Sequence, residues 1–194
     1  MANSDRPSGL TAIGTLSGSD FIGKLRRVTF AAGDAVACFQ GDLVKLTGTV
    51  DATGKKPVVA QSAAGDASIG VIQSFIPIEG DEGSLTTNYK PASTAQDALI
   101  YWGQDVLYEI QEDSVGNDIE ITEAGFNCNV IVGSGDTITG ISGMELDSSS
   151  AANTSTLNMR LHYVADKVDN ALGTNAKWIV SINASQEALN QTGV

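Results

Sequence analysis

The stretch SAAGDASIGVI, Ser62 to Ile72, sets a Gly-Asp pair directly before an apolar run, and the same pair recurs at Gly33-Asp34, Gly41-Asp42, Gly80-Asp81 and Gly135-Asp136. Glycine reaches positive φ without steric cost and aspartate bonds its own nearby backbone, so Gly65-Asp66 is read as a tight turn. After it Ile69, Val71 and Ile72 re-enter a sheet. Upstream lie GKLRRVTFAA, AVACFQ, DLVKLTGTV and KPVVAQSA; downstream follow SIGVIQSFIPI, ALIYWG, VLYEIQED, IEIT, CNVIVGSG, TITGISGMEL, LNMRLHYVA and AKWIVSIN. Several of these runs alternate with period two, and turn signals separate them every ~8–12 residues, which is the pattern of an all-β body. The expectation is a compact β-barrel, jelly roll or sandwich.

A chain of 194 residues can bury a real core without disulfides, and only 18% of it is charged while 21 residues are glycine, a composition that favours strands and turns over helices. Residues 1–20 are rich in Gly, Ser and Thr, with isolated apolar residues at Leu10, Ile13 and Leu16; they read as an extended N-terminal arm that orders against something else. Residues 21–183 read as one β domain with a long polar loop near 79–97, and residues 184–194 as a short tail. The repeated Ala-Ala-Gly-Asp at 31–34 and 63–66 is too short to mark a duplicated unit.

The net charge of −12 argues against nucleic acid as a partner, because affinity for phosphates needs clustered Lys and Arg. That charge is unevenly spread: Arg6, Lys24, Arg26 and Arg27 outweigh Asp5 and Asp20 in the first thirty residues, and the body carries the acidity. No window approaches the ~20 apolar residues of a membrane span, and the start MANSDRPSG lacks the basic and apolar regions of a secretory signal. Cys38 and Cys128 show no metal-site spacing and read as buried, reduced thiols.

Each catalytic pattern in the chain departs from what its mechanism requires. His162 sits in LNMRLHYVA on the face of Asn158 and Arg160, opposite Met159, Leu161 and Tyr163, as a surface-strand histidine does. GISG at 140–143 lacks the second spacer of a nucleophile elbow; GTVDATGKK at 48–56 and GSGDTITG at 133–140 miss the spacing of phosphate loops and read as turns. EDSVGND at 112–118 departs from the calcium-loop spacing. Tyr101, Trp102 and Tyr108 lie close in one strand pair, read first as core and second as a sugar-stacking platform. The reading is therefore of a non-enzyme with no catalytic residue, cofactor or metal.

MANSDRPSG, GDLVKL (41–46), VAQSAAGDASIGVI (59–72), YEIQED (108–113), SGMELDSS (142–149) and NAKWIVSIN (175–183) together resemble the small head proteins of tailed bacteriophages, and the GDLV…VAQSAAGD stretch is similar to capsid decoration, or cement, proteins. The resemblance implies a structural virion protein on the outer capsid surface, made in the host cytoplasm. It would bridge capsomers of the major capsid protein and assemble as a homotrimer. On that expectation Arg6, Leu10, Ile13, Leu16, Lys24, Arg26 and Arg27 form the capsid or protomer interface. The alternative is a carbohydrate-binding module of virion or host surface, using Tyr101, Trp102 and the acidic loop.

Overall fold

The Gly65-Asp66 turn lies between strand β4 (Pro57–Gln61) and strand β5 (Gly70–Phe75) of a computed structural model that describes residues 3–19, 24–78 and 88–187. Gly65 takes φ +77°, the Asp66 amide donates to the Ala63 carbonyl at 3.2 Å, and the Asp66 carboxylate accepts the Ala63 amide at 2.8 Å. Aspartate side chains cap the other described Gly-Asp turns too. Asp34 accepts the Val36 amide at 3.1 Å, Asp42 that of Phe39 at 2.9 Å, and Asp136 that of Ile138 at 2.8 Å. The repeated dipeptide is thus a local hydrogen-bonding device, which satisfies backbone groups a turn would otherwise leave open. The pair at Gly80-Asp81 lies outside the described residues.

Five strands close into a barrel: β2 (Leu25–Phe30), β3 (Leu43–Val50), β4, β5 and β6 (Gln96–Trp102), in the order β2-β4-β3-β5-β6. Every neighbour is antiparallel except β2 and β4, which run parallel through Thr29 opposite Val58 and Phe30 opposite Val59. An ion-pair network straps this seam. The Asp97 carboxylate of β6 accepts from Arg27 of β2 at 2.6 Å and from Lys56, just before β4, at 2.9 Å.

Beside the barrel lies an antiparallel sheet in the order β1-β7-β12-β11-β8, from β1 (Thr11–Thr15), β7 (Val106–Gln111), β12 (Lys177–Ile182), β11 (Met159–Val164) and β8 (Asn127–Cys128). A two-stranded ribbon joins β9 (Val130–Ile131) to β10 (Glu145–Leu146). Alternation along the strands lets the two layers share a wall. In β3, Val44 enters the barrel core while Leu43 enters the sheet core; in β5, Ile72 and Val71 divide the same way. Gly70 starts that shared strand because a Cβ there would stand 2.2 Å from the Tyr101 carbonyl oxygen.

One buried cation reinforces the barrel. The Lys90 ammonium, fully buried, donates to the carbonyls of Asp34 at 3.0 Å and Val36 at 2.6 Å, pairs with the Asp34 carboxylate at 3.1 Å, and lies 5.5 Å from the Phe30 ring centroid. A buried charge persists only with such a set of partners.

Several local expectations change. Within the segment read as an arm, Thr11–Thr15 pairs with β7 and Leu10 is only 3% exposed, so this stretch orders against the chain's own body. IEIT forms a 3-10 turn at Ile121–Glu123, AVACFQ contributes only isolated bridges, and TITGISGMEL yields only Glu145–Leu146 as strand. Tyr163 does not join Met159 and Leu161 in the core: an irregularity between Leu161 and Tyr163 turns it outward. Cys38 and Cys128 are free and buried, and burial pushes both thiols up to about 12. Of the 79–97 loop, residues 79–87 fall outside the described residues and strand β6 begins at Gln96; of the 184–194 tail, residues 188–194 also fall outside.

Asn158, read as a surface neighbour of His162, is fully buried. Its amide nitrogen donates to the carbonyls of Ala63 at 3.1 Å and Asp66 at 2.8 Å, and its amide oxygen accepts the backbone amides of Gly65 at 3.1 Å and Val130 at 3.2 Å. Truncation removes all four bonds and takes the side-chain acceptor from the buried Val130 amide. Asn158→Ala is expected to lower stability by roughly 1–3 kcal/mol, read as a lower urea midpoint at unchanged slope.

Candidate functional interface

The turn between β6 and β7, Gly103 to Asp105, gathers side chains from three segments. Gly103 occupies the left-handed region at φ +99°. The Asp105 carbonyl accepts the Leu16 amide at 2.8 Å, which seats the end of β1, and the Asp105 carboxylate pairs with Lys24. Next along β2, Arg26 and Arg27 are exposed. Lys55 arrives from the β3–β4 hairpin, where the Asp51 carboxylate accepts the amides of Lys55 at 2.8 Å and Lys56 at 3.1 Å. Desolvation would raise the Asp51 carboxyl, but hydrogen bonds from Thr53, Lys56 and Lys55 outweigh it and hold the group at about 2. The groove between these elements is lined by Lys24, Arg26, Arg27, Lys55, Trp102 and Glu187. Trp102 packs partly against the barrel core and its indole N–H donates to the Glu187 carboxylate.

The seven residues expected at an interface divide along β7. Leu16, 54% exposed, Lys24, Arg26 and Arg27 come together near Asp105, with Ile13, 44% exposed, one step back along β1. Arg6 lies at the other end, where its backbone amide donates to the Gln111 side chain at 3.1 Å. Six strand residues separate the two ends, a distance of about 20 Å. Leu10 faces inward and presents no contact surface.

The aromatic residues do not share a face. Tyr108 is fully buried, while Tyr101 packs against the sheet core and its neighbour Trp102 against the barrel core. His162 Nε2 lies 2.9 Å from the Ser181 hydroxyl, across the β11–β12 pair, and burial lowers its pKa. Among the described residues no group of three or more His, Cys, Asp or Glu could hold a metal ion.

Two glutamates at the Gln111 end were not singled out by the sequence. Glu112 is fully buried, its carboxylate accepting the amides of Ile119 at 2.7 Å and Ala176 at 3.3 Å, and burial pushes it up to about 7. Burial together with the Asp5 and Asp113 carboxylates pushes Glu145 up to about 7 as well. The Gln111 amide donates to both Asp5, at 3.2 Å, and Glu145, at 3.4 Å, and so holds the N-terminal segment beside these acids. Compared with family models, curated proteins and solved structures, the chain matches none.

The raised carboxyls set a pH dependence. Glu112 and Glu145 sit above their ordinary 4.5, so the stability they contribute is complete below that value and is lost as pH rises through about 7. Asp51, Asp66, Asp97 and Asp136 are held below 3.8, so their contribution is present above it and lost on acidification. The thermal midpoint is expected to peak near about pH 5 and fall toward about pH 8, with Glu145→Gln flattening the fall. A midpoint that rises steadily from about pH 5 to about pH 8 contradicts this assignment.

Proposed function

We propose that this chain is a structural, non-enzymatic virion protein that decorates the outer surface of a tailed-phage capsid and stabilises the shell by bridging capsomers. The observation that supports this reading most is the adhesive face at the end of β1. Exposed Leu16 is seated on Asp105, the partner of Lys24 and a neighbour of Arg26 in the groove, and exposed Ile13 lies further back along β1, on a chain whose net charge is −12. Exposed apolar side chains rimmed by charge of the minority sign suit a protein partner with an acidic surface. Assembly as a homotrimer, part of the same proposal, would let modest contacts add on a repeating shell.

The carbohydrate-binding alternative needs a shared aromatic platform. Tyr101 and Trp102 point into different layers and Tyr108 is buried, so no observation favours it.

The direct test is co-sedimentation with expanded empty heads of the phage whose genome encodes the chain. Removing residues 2–16 would strip core residue Leu10 and all of β1, so point changes on exposed positions serve better. Ile13→Asp with Leu16→Asp is expected to weaken binding by about tenfold or more while leaving the melting curve close to wild type, because two exposed apolar contacts are worth on the order of 1–2 kcal/mol. An intact protein that stays in the supernatant would falsify the decoration reading.

A further inference from the structure

The run from Pro91 to Met159 contains no lysine or arginine, yet it holds much of the chain's acid. Within it, the loop after β7 exposes Val115 and Ile121, at 66% and 70%, flanked in sequence by Asp118, Glu120 and Glu123. Two exposed aliphatic side chains beside carboxylates offer a partner both apolar contact and negative charge. At the opposite end of β7 the groove has the reverse balance: Lys24, Arg26, Arg27 and Lys55 outnumber Asp105 and Glu187 around the partly buried indole of Trp102.

These surfaces cannot meet within one molecule, because the six residues of β7 hold them about 20 Å apart. They complement each other between molecules. We infer that they are the two halves of a head-to-tail contact between copies of this chain. The 113–123 loop of one copy enters the groove of the next, with Val115 or Ile121 against Trp102 and the carboxylates of Asp118 and Glu120 against Arg26 and Lys55. The occupant is a second copy because the matching charge and the matching apolar residues are carried on the same chain at the same concentration. Such a contact is heterologous, so it generates a closed ring or an open chain. It stands on the division of charge within the molecule and does not depend on shell binding.

The experiment is sedimentation velocity on the purified full chain without capsids, over a concentration series. At low ionic strength, where the Debye length is about 30 Å, association is expected to grow with concentration, and it is expected to recede at about 1 M salt. Two variants alter exposed positions only: Arg26→Glu with Lys55→Glu in the groove, and Val115→Lys with Glu120→Lys in the loop. Each alone is expected to raise the dissociation constant by about tenfold or more, with circular dichroism matching wild type. Mixed together they are expected to associate again, because the acidic groove of one then meets the basic loop of the other. A wild-type chain that is monomeric at every concentration overturns the inference, as do variants that associate like wild type or a mixture that fails to re-associate. Capsid co-sedimentation is read separately, so either result can fail alone.

Discussion

The carboxamide of Asn158 governs how the two layers meet. It is buried at the start of β11's sheet and grips the Ala63–Asp66 turn of the barrel with both its donor and its acceptor, while the Asn158 carbonyl accepts the amides of Asn183 at 2.8 Å and Ala184 at 3.2 Å. A neutral side chain with two donors and two acceptor sites matches a turn that presents both kinds of backbone group. Leucine of similar volume would lose every one of these side-chain bonds, that to the buried Val130 amide included. Around this clamp the layers share β3 and β5, whose alternating residues feed one core on each side.

That shared wall fixes where the surface features fall. β6 closes the barrel and β7 opens the sheet, so the short turn between them belongs to both layers and brings β1 and β2 to Asp105. The far end of β7 carries the acidic loop and the buried Glu112. The molecule is therefore polarised along one six-residue strand, basic and aromatic at one end and acidic and aliphatic at the other.

Strand identity was legible where alternation and a Gly-Asp turn coincided, as in DLVKL and SIGVI. It failed where a polar side chain took over the backbone. In TITGISGMEL, Asp136 accepts the Ile138 amide and the Thr139 hydroxyl, residues 137–139 form a turn, and strand resumes only at Glu145. In IEIT, Glu123 accepts the Glu120 amide at 2.7 Å and a 3-10 turn replaces the strand. The basic residues Arg6, Lys24, Arg26 and Arg27 were visible as a charge anomaly near the N-terminus, but their division between the two ends of β7 was not. Glu112 and Glu145 were invisible among many acids, since only burial separates them from the rest.

The sequence by itself determined the all-β class, the turn chemistry and the contrast between a basic N-terminal region and an acidic body, because these depend on neighbours within a few residues. Tertiary structure alone decided that Leu10 enters the core, that Asn158 is a clamp, and that barrel and sheet share a wall. Each of those outcomes rests on contacts between residues far apart in the chain. Burial and hydrogen bonding across such distances depend on which strands pair, and local pattern carries no record of that choice.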